Sequence, residues 1–317
     1  MVAIRRIWDS FWFTGYSGEG LGLLRFCFGI GLFFFNLSQI WSLFLIDITG
    51  EPYYYIKPVW YFDLLGFTHN VPIFDYLAIA ALLAATVSMA VGYRTRLSIV
   101  IVMVLILYLR GVRDSLLGGH HHRYLVPFEI LFFLALSRCG DVYSVDARRK
   151  RASGVAITPV EEWEASWAIV AMQLYTASFY FWSFIAKIRL TGLHWFTDPR
   201  RIQELLLARS LIWGATEAGE PVFNPLPYWI SQQETLCLVL GLSALVMEAG
   251  FPLILVIRRP IARFIFLCGV AVFHVANFLF AYVGFLLFPI TFLIFFDLED
   301  VRRRLGLPQL VDEERGT

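Results

Sequence analysis

The sequence predicts an all-α, polytopic membrane protein with about eight transmembrane helices and both termini cytoplasmic. Three observations predict it. Apolar residues make up 58% of the 317, above the ~45–50% usual in soluble domains, and mean hydropathy is +0.66. Apolar runs of about 20 residues recur along the chain, each long enough to cross a bilayer as a helix. Clusters of arginine and lysine punctuate alternate gaps between those runs.

Eight spans are read, at roughly 21–45, 73–92, 97–112, 123–140, 166–187, 236–257, 261–279 and 283–297. Backbone facing lipid must satisfy its own hydrogen bonds, so each is read as a helix. The third, fourth and eighth are short. Arg5 and Arg6 precede the first span, Arg94 and Arg96 follow the second, and Arg148 to Arg151 follow the fourth. Arg258, Arg259 and Arg263 surround the gap after the sixth, and Arg302 to Arg304 follow the eighth. With eight spans all these clusters fall on one side, which the positive-inside rule makes cytoplasmic. The expected organisation is one transmembrane domain over residues 1–317, with its core at 20–300 and a short cytoplasmic tail at 301–317.

The first residues, MVAIRRIWDSFWFTG, are too short and too aromatic in their apolar part for a secretory signal, and no small-residue cleavage site follows. The first span is therefore expected in the mature protein. A net charge of only +1 gives no reason to expect nucleic acid as a partner. Cys27, Cys139, Cys237 and Cys268 form no CxxC pair and read as small buried hydrophobes, with no metal expected. The outer side carries the aromatic loop 46–72 and the longest loop, 188–235. The first is explained in part by an interfacial aromatic belt. The second is read as a segment lying on the bilayer over a cavity, or as a structural cap.

Ionisable groups inside a membrane are costly, so each is a candidate for function. Lys187 closes the run Ser166–Lys187, and Gln173, Tyr180 and Ser183 share its helical face. A lysine at this position is either a snorkelling anchor or, if the polar stripe faces the bundle, a desolvated group able to act as a base. His120, His121 and His122 precede the fourth span. Three consecutive histidines cannot all face one way, so a single working histidine is favoured over a metal site. His274 and Asn277 share a face at i, i+3. His274 lies eleven residues beyond Arg263, roughly 16 Å deeper. Its alternative is a neutral histidine bonded to a neighbouring helix. Arg25 either snorkels or pairs with Glu248, which sits near mid-span and must be neutral or paired.

In these motifs the chain resembles the vitamin K-dependent γ-glutamyl carboxylases and the bacterial membrane proteins that share their horizontally transferred transmembrane (HTTM) domain. LGLLRFCFG is similar to the family's first span, MAVGYRTRLS to its second basic turn, and YSVDARRK to a segment after its fourth span. HHRYL resembles a His-x-Tyr-Leu motif that carries a functional histidine, matching His122. Gln173 and YFWSFIAK resemble a glutamine followed by the family's catalytic lysine, matching Lys187, and FHVAN resembles its Phe-His-x-x-Asn. The resemblance spans about residues 20–300 and corresponds to the transmembrane part of the carboxylase alone.

The resemblance implies that Lys187 deprotonates reduced vitamin K or another quinol, and that His122 assists carbanion formation or CO2 addition. His274, Asn277, Tyr180 and Gln173 would then shape the quinol site. It further implies a protein or peptide glutamate as substrate, membrane lipid as surroundings, and a bacterial plasma membrane with the site at its outer face. Two positions depart from the pattern. The family has two adjacent lysines where this chain has Ala186 and Lys187, and Phe184 replaces a glycine. Two other readings remain open. One is a non-catalytic membrane protein that binds a lipid or quinone or assists a partner. The other is a transporter, against which stand the lack of paired inverted halves and the scarcity of Gly- or Pro-broken spans, Pro289 being the only proline well inside one.

Overall fold

The computed structural model describes residues 2–43, 53–117, 125–212, 222–257, 259–281 and 288–307. In chain order its helices are α1 (Val2–Trp12), α2 (Gly18–Leu43), α3 (Trp60–Leu64), α4 (Pro72–Val91), α5 (Thr95–Leu117), α6 (Leu125–Leu136) and α7 (Val145–Ala152). They continue with α8 (Glu162–Thr191), α9 (His194–Thr197), α10 (Pro199–Arg209), α11 (Pro225–Ser231), α12 (Glu234–Gly250), α13 (Pro260–Ala281), α14 (Phe288–Thr291) and α15 (Leu298–Arg304). The only pairing of strands among the described residues is in two short antiparallel ribbons, Tyr53–Tyr54 with His69–Asn70 and Leu211–Ile212 with Val222–Phe223. The protein is all-α, and among the described residues six helices (α2, α4, α5, α8, α12 with its continuation, and α13) are long and apolar enough to cross a membrane.

The helices differ from the expected spans in informative ways. The third is longer than read: α5 has 23 residues, because the helix also takes in Thr95 and Arg96 before the apolar run and Arg113 to Leu117 after it. The fourth is shorter, since α6 has 12 residues, about 18 Å at helical rise. Residues 118–124 before it, and 282–287 at the start of the eighth span, lie outside the described residues. The fifth is the longest, α8 having 30 residues. The loop 188–235 holds α9, α10 and α11. Asp198 and Asn224 each cap a helix that starts with proline, accepting from Arg200 N–H and Leu226 N–H. Both pairs follow the N-cap and N1 preferences.

The chain forms two compact units, residues 1–172 with 290–317 and residues 173–289. In the first, α2, α4, α5 and α6 pack in sequence. α2 lies close on α4 at Gly29, where a Cβ would come within 2.8 Å of Ala90. The aromatic loop 46–72 is more than an interfacial belt. Phe62 and Val59 are buried against Val112 of α5, with Tyr55, Tyr61 and Tyr108 around them. Trp60 and Tyr54 of the same loop stay exposed. Helix α1 carries Ile4, Ile7, Trp8 and Phe11 along one exposed stripe, the pattern of a helix lying in a membrane interface.

Arg25 differs from both readings of it. It is fully buried, and its guanidinium donates to the carbonyls of Cys139 at 2.5 Å, Val142 at 3.2 Å, Tyr143 at 2.5 Å and Ala90 at 3.4 Å. Buried in this way it does not snorkel, and it pairs with no carboxylate among the described residues. Gly92 makes room for it, ending α4 at φ 70°, where a Cβ would meet the Ser144 side chain and lie 3.0 Å from the guanidinium.

Asp146, in the first turn of α7, holds the N-terminus of α5. Its carboxylate accepts from Arg94 N–H at 2.8 Å, Thr95 N–H at 2.7 Å and the Thr95 hydroxyl at 2.8 Å. Burial alone would raise this carboxyl, and the hydrogen bonds from Thr95 and Arg94 hold it below the ordinary range. The folded chain thus binds this proton less readily than the unfolded one. The contribution is present above the unfolded value of ~4 and is lost as pH falls through the lower, folded value. Asp146→Asn is expected to cost about 1 kcal/mol and to flatten the acid limb of the thermal midpoint against pH. An unchanged midpoint and an unchanged acid limb would remove Asp146 from this role.

Candidate functional site

The candidate site lies in the second unit, on the part of α8 that runs from Gln173 to Thr191. At 3.6 residues per turn, positions 173, 176, 180, 183 and 187 fall along one face. The structure turns that face inward. Gln173, Thr176 and Tyr180 are buried, whereas Phe181 and Trp182 on the other side are exposed.

Lys187 ends this stripe, and its ammonium is directed at Glu248 of α12. Nζ donates to Oε1 at 2.6 Å and to Oε2 at 2.8 Å, and to the Ser183 hydroxyl at 2.9 Å. Ser183 in turn donates to Glu248 Oε1 at 3.2 Å. The Lys187 side chain is 22% exposed and that of Glu248 9%. Nζ also stands 6.0 Å from the ring centroid of Trp195 in α9. The chain thus places a two-point, charge-assisted pair beside a hydroxyl and an aromatic face. The Lys187 ammonium is thus engaged within the protein, by Glu248 and Ser183.

About two turns back along α8, or ~10 Å, Tyr180 forms a second polar pair. Its hydroxyl lies 2.5 Å from His274 Nε2. Its ring stacks on Phe251 with centroids 3.9 Å apart and planes 6° from parallel. Phe251 reaches this position because Pro252 cannot continue α12 as an α-helix. The chain instead tightens into a 3-10 turn over Phe251–Leu255. Glu248 and Phe251, one turn apart, thereby serve Lys187 and Tyr180 from the same helix end.

Packing fixes these helices. Gly241 of α12 lies against the backbone of α9, where a Cβ would come within 2.8 Å of the Phe196 carbonyl. Phe196 is buried, and its ring contacts Phe184 of α8 with centroids 5.9 Å apart. Phe184, which replaces a glycine of the resembled pattern, therefore fills a contact with α9. A second cluster, Ile202, Leu206, Ile230 and Cys237, locks α10 and α11 onto α12.

The structure brings together some of the candidate residues and separates others. Lys187, Tyr180 and His274 take part in the two pairs. Gln173 is buried two turns before Tyr180. Asn277 is half-buried one turn beyond His274 and is not part of the Tyr180–His274 hydrogen bond. His122, with His120 and His121, lies outside the described residues. Three participants were absent from the expected site: Glu248, Phe251 and Trp195. Glu248 carried a signal, being a carboxylate in mid-span, but its partner was not legible. Phe251 beside Pro252 and Trp195 in a loop carried none.

In the first unit, Asp75 was passed over altogether. It is buried in the first turn of α4. It accepts from the Tyr108 hydroxyl at 3.0 Å and from the Asn70 amide. Its position three residues after Pro72, where the helix dipole favours an acid, was the available signal.

Comparison of the chain with models of known families, with curated proteins and with solved structures finds no match.

Proposed function

We propose that this chain is an integral membrane enzyme in which Lys187 and Glu248 handle the proton of a quinol-like substrate. The resemblance to the vitamin K-dependent carboxylases motivates the substrate class. The observation that carries the reading is the Lys187–Glu248 contact at 2.6 and 2.8 Å, set among helices apolar enough to cross a membrane. Eight crossings, cytoplasmic termini and a site near the outer face complete the proposal, on the strength of the charge pattern alone.

The residues suit a quinol. Such a molecule presents a flat aromatic ring and hydroxyl groups. The neighbourhood offers the stacked Tyr180 and Phe251, the ring of Trp195, and polar atoms on Tyr180, His274, Ser183, Lys187 and Glu248. Reduced vitamin K or a related quinol, when bound, supplies an oxidisable hydroquinone that reacts with dioxygen in the family the chain resembles.

Lys187 and Glu248 are in direct hydrogen-bond contact, so a proton can pass between them. Glu248 accepts the proton of a substrate hydroxyl, breaking the O–H bond. Lys187 Nζ relays it, taking the substrate's proton as it passes one of its own to the Glu248 carboxylate, so that an ammonium remains beside the substrate oxyanion and Glu248 is left as the acid. Tyr180 and His274 hold the far side by hydrogen bonding. Phe184, Phe196 and Trp195 limit water, which strengthens each of these interactions.

A second reading is favoured by one feature of the same geometry. Lys187 and Glu248 satisfy each other, as a purely structural pair does. On that reading the chain binds a lipid or quinone, or assists a partner protein, without chemistry. The test is to purify the chain in detergent, identify any co-purifying quinone, and supply reduced quinone with oxygen while measuring epoxide formation. Lys187→Arg keeps the charge and the contact with Glu248 but cannot give up its proton. It is expected to lower turnover at least about 100-fold with an unchanged thermal midpoint. Full turnover in that variant rules out Lys187 in proton transfer. Absence of both bound quinone and turnover in the wild type supports the non-catalytic reading.

A further inference from the structure

A separate feature of the first unit points to a ligand of another kind. A cleft of about 590 Å³ is lined by the turn between α4 and α5 (Arg94, Thr95, Arg96, Leu97), the segment after α6 (Ser137, Arg138, Gly140, Asp141) and α7 (Asp146, Arg149, Lys150). Its charges are unbalanced. Against two carboxylates stand five cations, and the carboxylates are already engaged. Asp141 takes Arg138 at 2.9 Å and Lys150 at 2.7 Å, and Asp146 is spent on the N-terminus of α5.

Arg94, Arg96 and Arg149 therefore face the cleft with no carboxylate partner among the described residues. The guanidiniums of Arg149 and Arg94 are instead placed over the Tyr93 ring, 4.7 and 6.0 Å from its centroid. An anion is the chemistry that three such groups recognise, and the planar guanidinium matches phosphate oxygens two at a time.

The wall beneath the cleft decides which phosphate. Leu97 lines the cleft and is exposed, and Val100, Ile101 and Val104 follow it along α5, all exposed. Their spacing of three, four and seven residues makes one continuous apolar stripe. It starts at the cleft and runs along a helix long enough to cross a membrane. A soluble phosphate has no use for that stripe, whereas a phospholipid has acyl chains to lay on it. We propose that this cleft binds the headgroup of an anionic glycerophospholipid, with its phosphate among Arg94, Arg96 and Arg149 and its acyl chains along Leu97, Val100, Ile101 and Val104. Basic pockets between membrane helices are suited to such lipids.

The test uses the full chain in detergent and follows its thermal midpoint. Phosphatidylglycerol is titrated in mixed micelles, with phosphatidylcholine and soluble glycerol 3-phosphate as separate arms. Phosphatidylglycerol is expected to raise the midpoint saturably, and less so at high salt. In Arg94→Gln/Arg96→Gln/Arg149→Gln its half-saturation is expected to move at least about tenfold higher. Arg148→Gln/Arg151→Gln, on the same helix but outside the lining, should leave it unchanged. The substituted arginines are exposed, so folding should survive in both variants. An equal response to phosphatidylcholine would mean annular lipid only, and an equal response to glycerol 3-phosphate a free-phosphate site. Either result overturns the proposal, as does an equal loss in the two variants or an unchanged half-saturation in the first.

Discussion

Lys187→Met and Glu248→Leu, made singly, are each expected to cost about 3 kcal/mol of stability, whereas the two together should recover most of that loss. Each single change leaves one charge, 22% or 9% exposed, facing apolar surroundings without its partner. In a membrane such a group is more expensive still. The double change removes both charges and leaves two apolar side chains of similar length. The interaction energy from the four variants, measured as thermal midpoints or denaturant unfolding in detergent, should reach about 2 kcal/mol. Additive losses would show that the pair is not a unit. The same set separates stability from chemistry, because the double variant should fold and yet fail in quinol turnover. A double variant with full turnover would remove both residues from catalysis at once.

This pair also shows how far residues alone carry the reading. The inward direction of Lys187 was legible, because positions 173, 180, 183 and 187 share one helical face and a polar stripe there is wasted on lipid. The partner was not. Glu248 stood out as a mid-span carboxylate, but a periodic pattern sets a helix's face and leaves its vertical offset against a neighbour open. Arg25 was the cation named as its partner, and Lys187 was not. Contacts give the answer: Arg25 is consumed by backbone carbonyls, and Glu248 by Lys187 and Ser183.

Composition misled in two places. The aromatics of 188–235 drew attention away from Asp198-Pro199 and Asn224-Pro225, each an N-cap followed by a favoured first residue. The apolar run 123–140 suggested a full span, although α6 itself closes at Leu136. After it, Ser137 to Ser144 form an irregular segment with Tyr143 at φ 46°. Hydropathy registers how apolar a segment is, and it does not register where the backbone stops being helical.

That irregular segment is the subject of the second large effect. Its carbonyls at Cys139, Val142 and Tyr143 lack helical partners and are met by the guanidinium of Arg25. One planar fork with several donors can serve them together, which an ammonium cannot. Arg25→Met is therefore expected to cost about 3–5 kcal/mol, the range for stripping a buried charged donor from its acceptors. Arg25→Lys should fall between this variant and the wild type, since it restores charge and loses the fork. The damage should be local before it is global. Backbone amides of residues 137–146 should exchange hydrogen faster in Arg25→Met, because Asp146 N–H itself donates to the Gly92 carbonyl at 2.9 Å, beside the same guanidinium. The Tyr180–His274 and Lys187–Glu248 pairs belong to the other unit, and amides of α12 and α13 should keep their protection. Hydrogen exchange read by mass spectrometry distinguishes these outcomes. A wild-type midpoint in Arg25→Met, or equal loss of protection over both units, would show that Arg25 does not hold this segment in place.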